Sequence, residues 1–288
     1  MLDEPDGLSP KTEINRRDFL AAAGASVGYA LAAGPVMADA IVTDATGLHV
    51  QMISLRGVDG AEVPAYVAQP AIKGPFPVIL VVQEIFGVHA YIQDICRRFA
   101  KLGYLAIAPE LYVRQGDPHG ITDIPTLFKT IVVNVPDTQV MSDLDVAVDW
   151  AGKNGGDLGR LGITGFCWGG RITWLYAAHS QKVRAAVAWY GRLVGDKTTL
   201  QPRHPLDMAD EIKAPVLGLY GGKDESIPVA TVQQMDEALA RAGIEHEFHV
   251  YPDAPHAFHA DYRPSYRADA AQDGWFRAVD WFKRHGVV

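Results

Sequence analysis

The sequence has little cysteine and no concentration of positive charge. Its 288 residues contain two cysteines, Cys96 and Cys167, which excludes a small scaffold held together by several disulfides. Lysine and arginine number 26 against 34 aspartates and glutamates, the formal net charge is −8, and no long basic run occurs. Nucleic-acid binders normally carry a basic patch, so that class is set aside. Apolar residues make up 48%, enough for a substantial core.

The first forty residues have the pattern of an export signal. Arg16-Arg17 is followed by Asp18 and then by a run of mostly alanine and glycine without charge until Asp39, and Ala38-Asp39-Ala40 is an A-x-A cleavage pattern. This resembles the twin-arginine signal of bacteria. We expect residues 1–40 to address the chain to the twin-arginine export machinery and residues 41–288 to form a periplasmic domain without stable membrane insertion. An uncleaved anchor or a cytoplasmic helix is the alternative.

Predicted strands and helices alternate along residues 48–285. This alternation predicts an α/β class with a mostly parallel, doubly wound sheet and helices on both faces. Two long irregular loops, around residues 112–136 and 192–212, are candidate covers over a site. The predicted strands are Leu48–Leu55, Ala61–Gln69, Val78–Val82, Tyr104–Ala108, Leu161–Thr164, Ala185–Tyr190, Val216–Tyr220 and Phe248–Tyr251, and the predicted helices are Tyr91–Leu102, Asp143–Lys153, Gly169–His179, Val229–Ala242 and Asp269–Arg284.

A glycine-rich turn around Cys167 is the main chemical motif. Gly165-Phe166-Cys167-Trp168-Gly169 follows a predicted strand and opens a predicted helix, as in the G-x-S-x-G turn with cysteine in place of serine. The turn is so sharp that a Cβ on either glycine is expected to clash. The helix N-terminus favours a thiolate, and the Trp168 N–H is placed for an oxyanion. A buried, inert cysteine in a structural turn is the alternative.

An acid and a base follow the nucleophile in the order typical of this turn. Asp224 lies in a glycine turn directly after the strand Val216–Tyr220, and His256 lies in the loop after the last strand. Asp253 is the alternative acid, although it precedes the histidine too closely to face its far nitrogen comfortably. The three elements together are more specific than any one of them.

Other polar groups have simpler interpretations. His246, His249 and His259 lack the spacing and the accompanying ligands of a metal site, so no metal is expected. Cys96 lies on the apolar face of a predicted helix and is assigned to the core. Tyr190 ends a strand, where it either faces the same edge as Cys167 and binds substrate or belongs to the core.

Four segments resemble the dienelactone hydrolase family of the α/β-hydrolase superfamily. They are Gln83-Glu84-Ile85-Phe86-Gly87, Ala108-Pro109-Glu110-Leu111-Tyr112, Gly165-Phe166-Cys167-Trp168-Gly169-Gly170 and His256-Ala257-Phe258. The resemblance covers about residues 48–285. It implies an α/β-hydrolase fold and carboxymethylenebutenolidase-like chemistry.

The resemblance also implies roles for individual residues. Cys167, Asp224 and His256 match the triad. Glu84 matches a loop glutamate that holds the resting thiol and helps to activate it. The Ile85 N–H matches the second oxyanion donor beside that of Trp168, and Arg114 matches an arginine that binds a substrate carboxylate.

Three departures from the family pattern leave the substrate open. The second arginine of lactone-cleaving members, four residues after the histidine, is Ala260 here, and Arg263 is the nearest arginine. The usual Pro-Asp-Leu-Tyr reads Pro-Glu-Leu-Tyr. The predicted export signal also fits poorly with a cytoplasmic ring-cleavage pathway.

The sequence thus predicts a monomeric cysteine hydrolase that acts on a small ester or lactone without a cofactor. A general carboxylesterase or thioesterase on the same fold is one alternative. A non-catalytic binding protein on a hydrolase scaffold is the other, and the complete triad argues against it.

Overall fold

The protein forms one eight-stranded sheet with helices on both faces in a computed structural model, which describes residues 40–288. The predicted twin-arginine signal lies outside the described residues, apart from Ala40. The strands are β1 Leu48–Arg56, β2 Glu62–Pro70, β3 Phe76–Val82, β4 Leu105–Pro109, β5 Gly156–Phe166, β6 Val183–Trp189, β7 Val216–Gly221 and β8 His246–Tyr251. The helices are α1 Ala90–Lys101, α2 Ile124–Thr130, α3 Asp137–Lys153, α4 Trp168–His179, α5 Val229–Ala242 and α6 Ala268–Arg284, with short 3₁₀ helices at Val132–Asn134 and Pro205–Glu211.

The sheet is mostly parallel, as the alternation of elements predicts. Its strand order is β1-β2-β4-β3-β5-β6-β7-β8, in which β1–β2 and β2–β4 are antiparallel and the other neighbours are parallel. Every residue of β3 is buried, because both faces of this parallel strand are covered. Its sequence is accordingly a continuous apolar run. The expectation of an α/β-hydrolase fold is confirmed.

Successive residues of β3 show the two covered faces, because neighbouring side chains of a strand point to opposite sides. Val78 lies toward Gly156 and the C-terminal part of α3, whereas Ile79 lies toward Phe282 of α6. The helix α1 shares the face of α6, since the Phe99 ring is 6.0 Å from that of Phe282. The helices α4 and α5 pack with the 3₁₀ helix Pro205–Glu211 on the side of α3.

The long loop predicted over residues 112–136 contains the short helix α2, and α3 begins at Asp137 rather than Asp143. Asp123 caps α2 by accepting a hydrogen bond of 2.9 Å from the Thr126 N–H. The first turn of α3 is polar and therefore lacks an apolar period, but Arg171 of α4 binds Asp137 at 2.7 Å. A contact from another element thus fixes a helix start that local periodicity does not reveal.

The strand order reverses direction between β3 and β5. In open α/β sheets ligands bind outside the carboxyl ends of the strands at such a switch point. The loop that carries Glu84 and Ile85 leaves β3 there, and the turn that carries Cys167 leaves β5 beside it. Among residues 40–288, no helix has both the length and the apolar character to cross a membrane.

Candidate active site

The turn at Cys167 is as tight as the sequence predicts. Cys167 has φ 58° and ψ −115°, a conformation that L-residues rarely adopt, and α4 begins at the next residue. A Cβ on Gly165 would lie 2.3 Å from the Gly169 carbonyl oxygen, and one on Gly169 would lie 2.4 Å from that of Gln83. Both glycines are therefore required by close backbone contacts. The turn places Cys167 between the carboxyl end of β5 and the first residue of α4.

The contact between Gly169 and Gln83 brings the loop after β3 against the first turn of α4. Trp168 is the first residue of α4, so its N–H has no partner within the helix. Ile85 lies two residues beyond Gln83 in the adjoining loop. This proximity suits the predicted pair of oxyanion donors, whose role stays a prediction.

A second set of close backbone contacts brings Asp224 to His256. A Cβ on Gly221 would lie 2.4 Å from the Ala254 carbonyl oxygen, and one on Gly222 would lie 2.6 Å from that of Pro252. The loops after β7 and β8 are thereby pressed together. The Nδ1 of His256 lies 2.6 Å from the Asp224 Oδ2, and both side chains are buried.

The environment of this pair favours an imidazolium beside a carboxylate. Burial alone would lower the pKa of His256, but the charges of Asp224 and Cys167 and hydrogen bonds to both raise it to about 10. Burial likewise tends to raise the pKa of Asp224, whereas His256 and Ser226 lower it below its ordinary value. The other Asp224 oxygen accepts hydrogen bonds from the backbone N–H of Ser226 at 2.9 Å and of Ile227 at 3.1 Å. These contacts fix the carboxylate that orients the histidine.

Asp253, the alternative acid, is bound to a different partner from His256. Its side chain is 88% exposed and forms an ion pair of 2.6 Å with Lys223. Cys96 is fully buried on α1, and burial raises the pKa of its thiol, in keeping with its assignment to the core.

The remaining histidines point to separate partners. His246 binds Asp236 at 3.1 Å, and His259 binds the Tyr91 hydroxyl at 2.6 Å. No group of three or more histidine, cysteine, aspartate or glutamate residues that could hold a metal ion occurs within residues 40–288.

Glu84 is a buried carboxylate surrounded by polar partners. It accepts a hydrogen bond of 2.5 Å from the Tyr262 hydroxyl and lies 3.2 Å from the His89 Nε2. Burial would raise its pKa, but His89 and the charge of Arg263 lower it to about 2. The Glu84 carboxylate thus hydrogen-bonds to His89 and Tyr262, and its predicted contact with the resting thiol stays a prediction. Sequence reasoning missed both partners, because neither belongs to a recognisable motif.

Tyr190 lies beside the candidate triad. It has φ 38°, is fully buried, and its ring packs edge-on against His256 with the centroids 5.2 Å apart. The tyrosine therefore faces the same edge as Cys167, and its predicted contact with substrate stays a prediction.

Comparison with known proteins identifies the family. The sequence model described as the dienelactone hydrolase family matches residues 63–286. The chain belongs to the dienelactone hydrolase family.

Individual relatives agree with this assignment. A protein of Methylorubrum extorquens named as a candidate carboxymethylenebutenolidase is 59% identical over 283 residues, which cover 98% of this chain and 97% of that protein. A Bradyrhizobium protein named as a candidate 2-oxo-3-(5-oxofuran-2-ylidene)propanoate lactonase is 31% identical, covering 80% of this chain and 92% of its own. The crystal structure of a candidate dienelactone hydrolase from Klebsiella pneumoniae superposes with a TM-score of 0.81 at 57% identity, covering 82% of this chain and 99% of that one. The protein is accordingly a hydrolase.

The structure does not bring the family's predicted substrate arginine to this site. The guanidinium of Arg114 is held at 2.6 Å by Asp59, in the turn between β1 and β2, and at 2.7 Å by Asp143 of α3. Two carboxylates already engage the donors of Arg114, which argues against a contact with a substrate carboxylate, and that predicted role stays a prediction. Arg263 is the arginine at the site instead: it is 4% exposed, lies over the Phe86 ring at 4.6 Å, and acts electrostatically on Glu84 and Cys167.

Proposed function

We propose that this dienelactone hydrolase family member cleaves small esters and lactones through a thioester on Cys167. The single observation that carries the proposal is the His256 imidazole, which is bound to the Asp224 carboxylate at 2.6 Å and hydrogen-bonded to the Cys167 side chain. The raised pKa of His256 supports an imidazolium that pairs with a thiolate. The names of the relatives, candidate carboxymethylenebutenolidases and a candidate lactonase, point to the same bond class.

In the proposed acylation step, the Cys167 thiolate attacks the carbonyl carbon and forms a carbon–sulfur bond. The carbonyl electron pair moves onto oxygen, where the N–H groups of Ile85 and Trp168 stabilise the charge. The intermediate then collapses, the carbon–oxygen bond to the leaving group breaks, and the His256 imidazolium gives its proton to the departing alkoxide. Asp224 holds the imidazole in the orientation that both steps need.

In the proposed deacylation step, neutral His256 takes a proton from water as the water oxygen attacks the thioester carbonyl. Collapse of the second intermediate expels the thiolate and releases the acid. The imidazolium–thiolate pair is thereby restored. Because a thiolate is itself a good leaving group, the first intermediate collapses forward only when the departing oxygen is also a good leaving group. Enol esters, aryl esters and enol lactones are therefore the preferred substrates, and amides are poor ones.

Mass spectrometry of the intact protein tests the proposal. Incubation with a 4-nitrophenyl ester or an enol lactone should add one acyl mass to the wild-type chain, and peptide mapping should place it on Cys167. Cys167→Ala should lose the adduct and at least 1,000-fold in turnover, roughly the loss seen when a covalent nucleophile is removed. Cys96→Ala is the matched control and should keep both. Turnover of lactone and aryl ester by the Cys167→Ala variant at the wild-type rate would refute the mechanism.

A further inference from the structure

The first described residues, 40–46, cross the outer side of α1 and are here called the strap. The Thr43 N–H donates to the Asp94 Oδ1 at 2.5 Å, and the Thr43 carbonyl accepts from the Arg97 Nε at 2.7 Å. Lys101 of the same helix donates to the Thr46 carbonyl at 2.7 Å. Three side chains of α1 therefore hold the strap through its backbone.

The contacts of the strap continue to the active site. Asp94 is buried and also binds the Arg98 Nε at 2.6 Å, while the other end of Arg98 binds Asp261 at 2.5 Å. Asp261 directly precedes Tyr262, whose hydroxyl binds Glu84 at 2.5 Å. The backbone of Ile41 also hydrogen-bonds to Asp261. The strap thus docks against the same segment that holds Glu84 in place.

The strap also lines a cleft of about 590 Å³, within the usual size range of small-molecule sites. Ile41 and Val42 share this cleft with Phe86, Tyr262 and Arg263. Ile41 is 48% exposed and Val42 is 79% exposed, so two apolar side chains meet solvent at its edge.

Arg263 connects the cleft to Cys167. On one side its guanidinium lies over the Phe86 ring at 4.6 Å, and on the other its charge acts on Cys167 and Glu84. Cys167 itself is 4% exposed and does not line the cleft. A substrate whose carbonyl reaches the sulfur would therefore pass beside Arg263, with its remaining part in the cleft.

We propose that the strap is a specificity wall, against which Ile41 and Val42 bind the apolar arm of an ester or lactone substrate. The inference rests on the proposed ester hydrolysis and adds the substrate class: an ester that carries an apolar group of several carbons. The backbone contacts to Asp94 and Asp261 hold this wall at a fixed distance from Tyr262 and Arg263.

A chain-length series of 4-nitrophenyl esters tests the wall. The double variant Ile41→Ala/Val42→Ala should lower kcat/KM about 5-fold for the hexanoate, mainly through KM, because methylene contacts with an apolar wall are lost. The acetate lacks an apolar arm and should lose much less. Ile72→Ala is the matched control, since Ile72 is apolar, 74% exposed and outside the cleft. Equal ratios of hexanoate to acetate in the double variant and the wild type would overturn the inference.

A second pair of variants tests the docking of the strap. Thr43→Pro removes the N–H that binds Asp94, whereas Thr43→Ala keeps it. Thr43→Pro should reproduce the loss of hexanoate selectivity with an unchanged circular dichroism spectrum, and Thr43→Ala should not. If both keep wild-type selectivity, the strap does not set specificity. In every arm the acyl adduct on Cys167 is measured in parallel, so a failure of the proposed chemistry, with no adduct from the wild type, is distinguished from a failure of the strap inference alone.

Discussion

Replacing Asp224 with asparagine should cost the protein about 100-fold in kcat/KM. Asparagine keeps the shape of the side chain but removes the charge that faces the His256 Nδ1 at 2.6 Å. Burial opposes the charged imidazole, yet its pKa stands at about 10 rather than the ordinary 6.5. At ~1.4 kcal/mol per pKa unit this corresponds to ~5 kcal/mol in favour of the imidazolium. Asp224 is the first of the groups that raise this pKa, ahead of Cys167. A loss of about 3 kcal/mol on its removal corresponds to about 100-fold in rate.

The assay is the hydrolysis of 4-nitrophenyl acetate between pH 6 and pH 10, with Asp253→Asn as the matched control. Asp253 is exposed and paired with Lys223, so this variant should stay within two-fold of the wild type. The deficit of Asp224→Asn should shrink as the pH rises, because hydroxide then removes the thiol proton without help from the imidazole. A folded Asp224→Asn variant within three-fold of the wild type at pH 7 would refute the assigned role of the carboxylate.

Three further predictions concern the rest of the chain. His259 is buried and burial lowers its pKa to about 3, whereas its unfolded value is about 6.5; the unfolded chain therefore binds the extra proton between these values. Protonation of His259 in the unfolded chain should lower the free energy of unfolding by ~2 kcal/mol between pH 7 and pH 5. Urea titrations of the His259→Gln variant should not show this decrease. Arg114→Ala should lower the free energy of unfolding by about 3 kcal/mol, because the Asp143 carboxylate stays buried without its cation. The kcat/KM of this variant should stay within two-fold of the wild type. A large loss of activity with unchanged stability would contradict a structural role for Arg114. We also propose export by the twin-arginine pathway, so that replacing Arg16 and Arg17 with lysine should keep a tagged chain out of the periplasmic fraction.

The positions of Cys167, Asp224 and His256 in the fold could be predicted from the sequence, because each follows a strand end in a fixed order; their catalytic roles stay a prediction. The glycines beside Cys167 and Asp224 carry the same information, since each lies where two backbones touch. The surroundings of Glu84 could not be predicted in this way. His89 and Tyr262 reach it from two segments that lie far apart in the sequence, and neither lies in a motif. Side-chain contacts between distant segments depend on the tertiary fold, whereas strand-end positions depend on local pattern.

Arg263 shows that a residue can reach the candidate site from a position that the spacing along the chain does not indicate. The resemblance places a substrate arginine four residues after His256, where this chain has Ala260. The segment after the histidine, however, folds into successive turns, with the Ala260 N–H donating to the Ala257 carbonyl and the Arg263 N–H to the Ala260 carbonyl. These turns return Arg263 to the neighbourhood of Glu84, although Arg263 lies well beyond the position four residues after His256. The cation is thus present at the site from a different position in the sequence. The charge of Arg263 lowers the pKa of Glu84 and interacts with Cys167. Replacing Arg263 with glutamine should therefore raise the pKa of Glu84 and weaken catalysis. An unchanged Glu84 titration in a carbonyl-labelled NMR spectrum would show that Arg263 does not act on the candidate site.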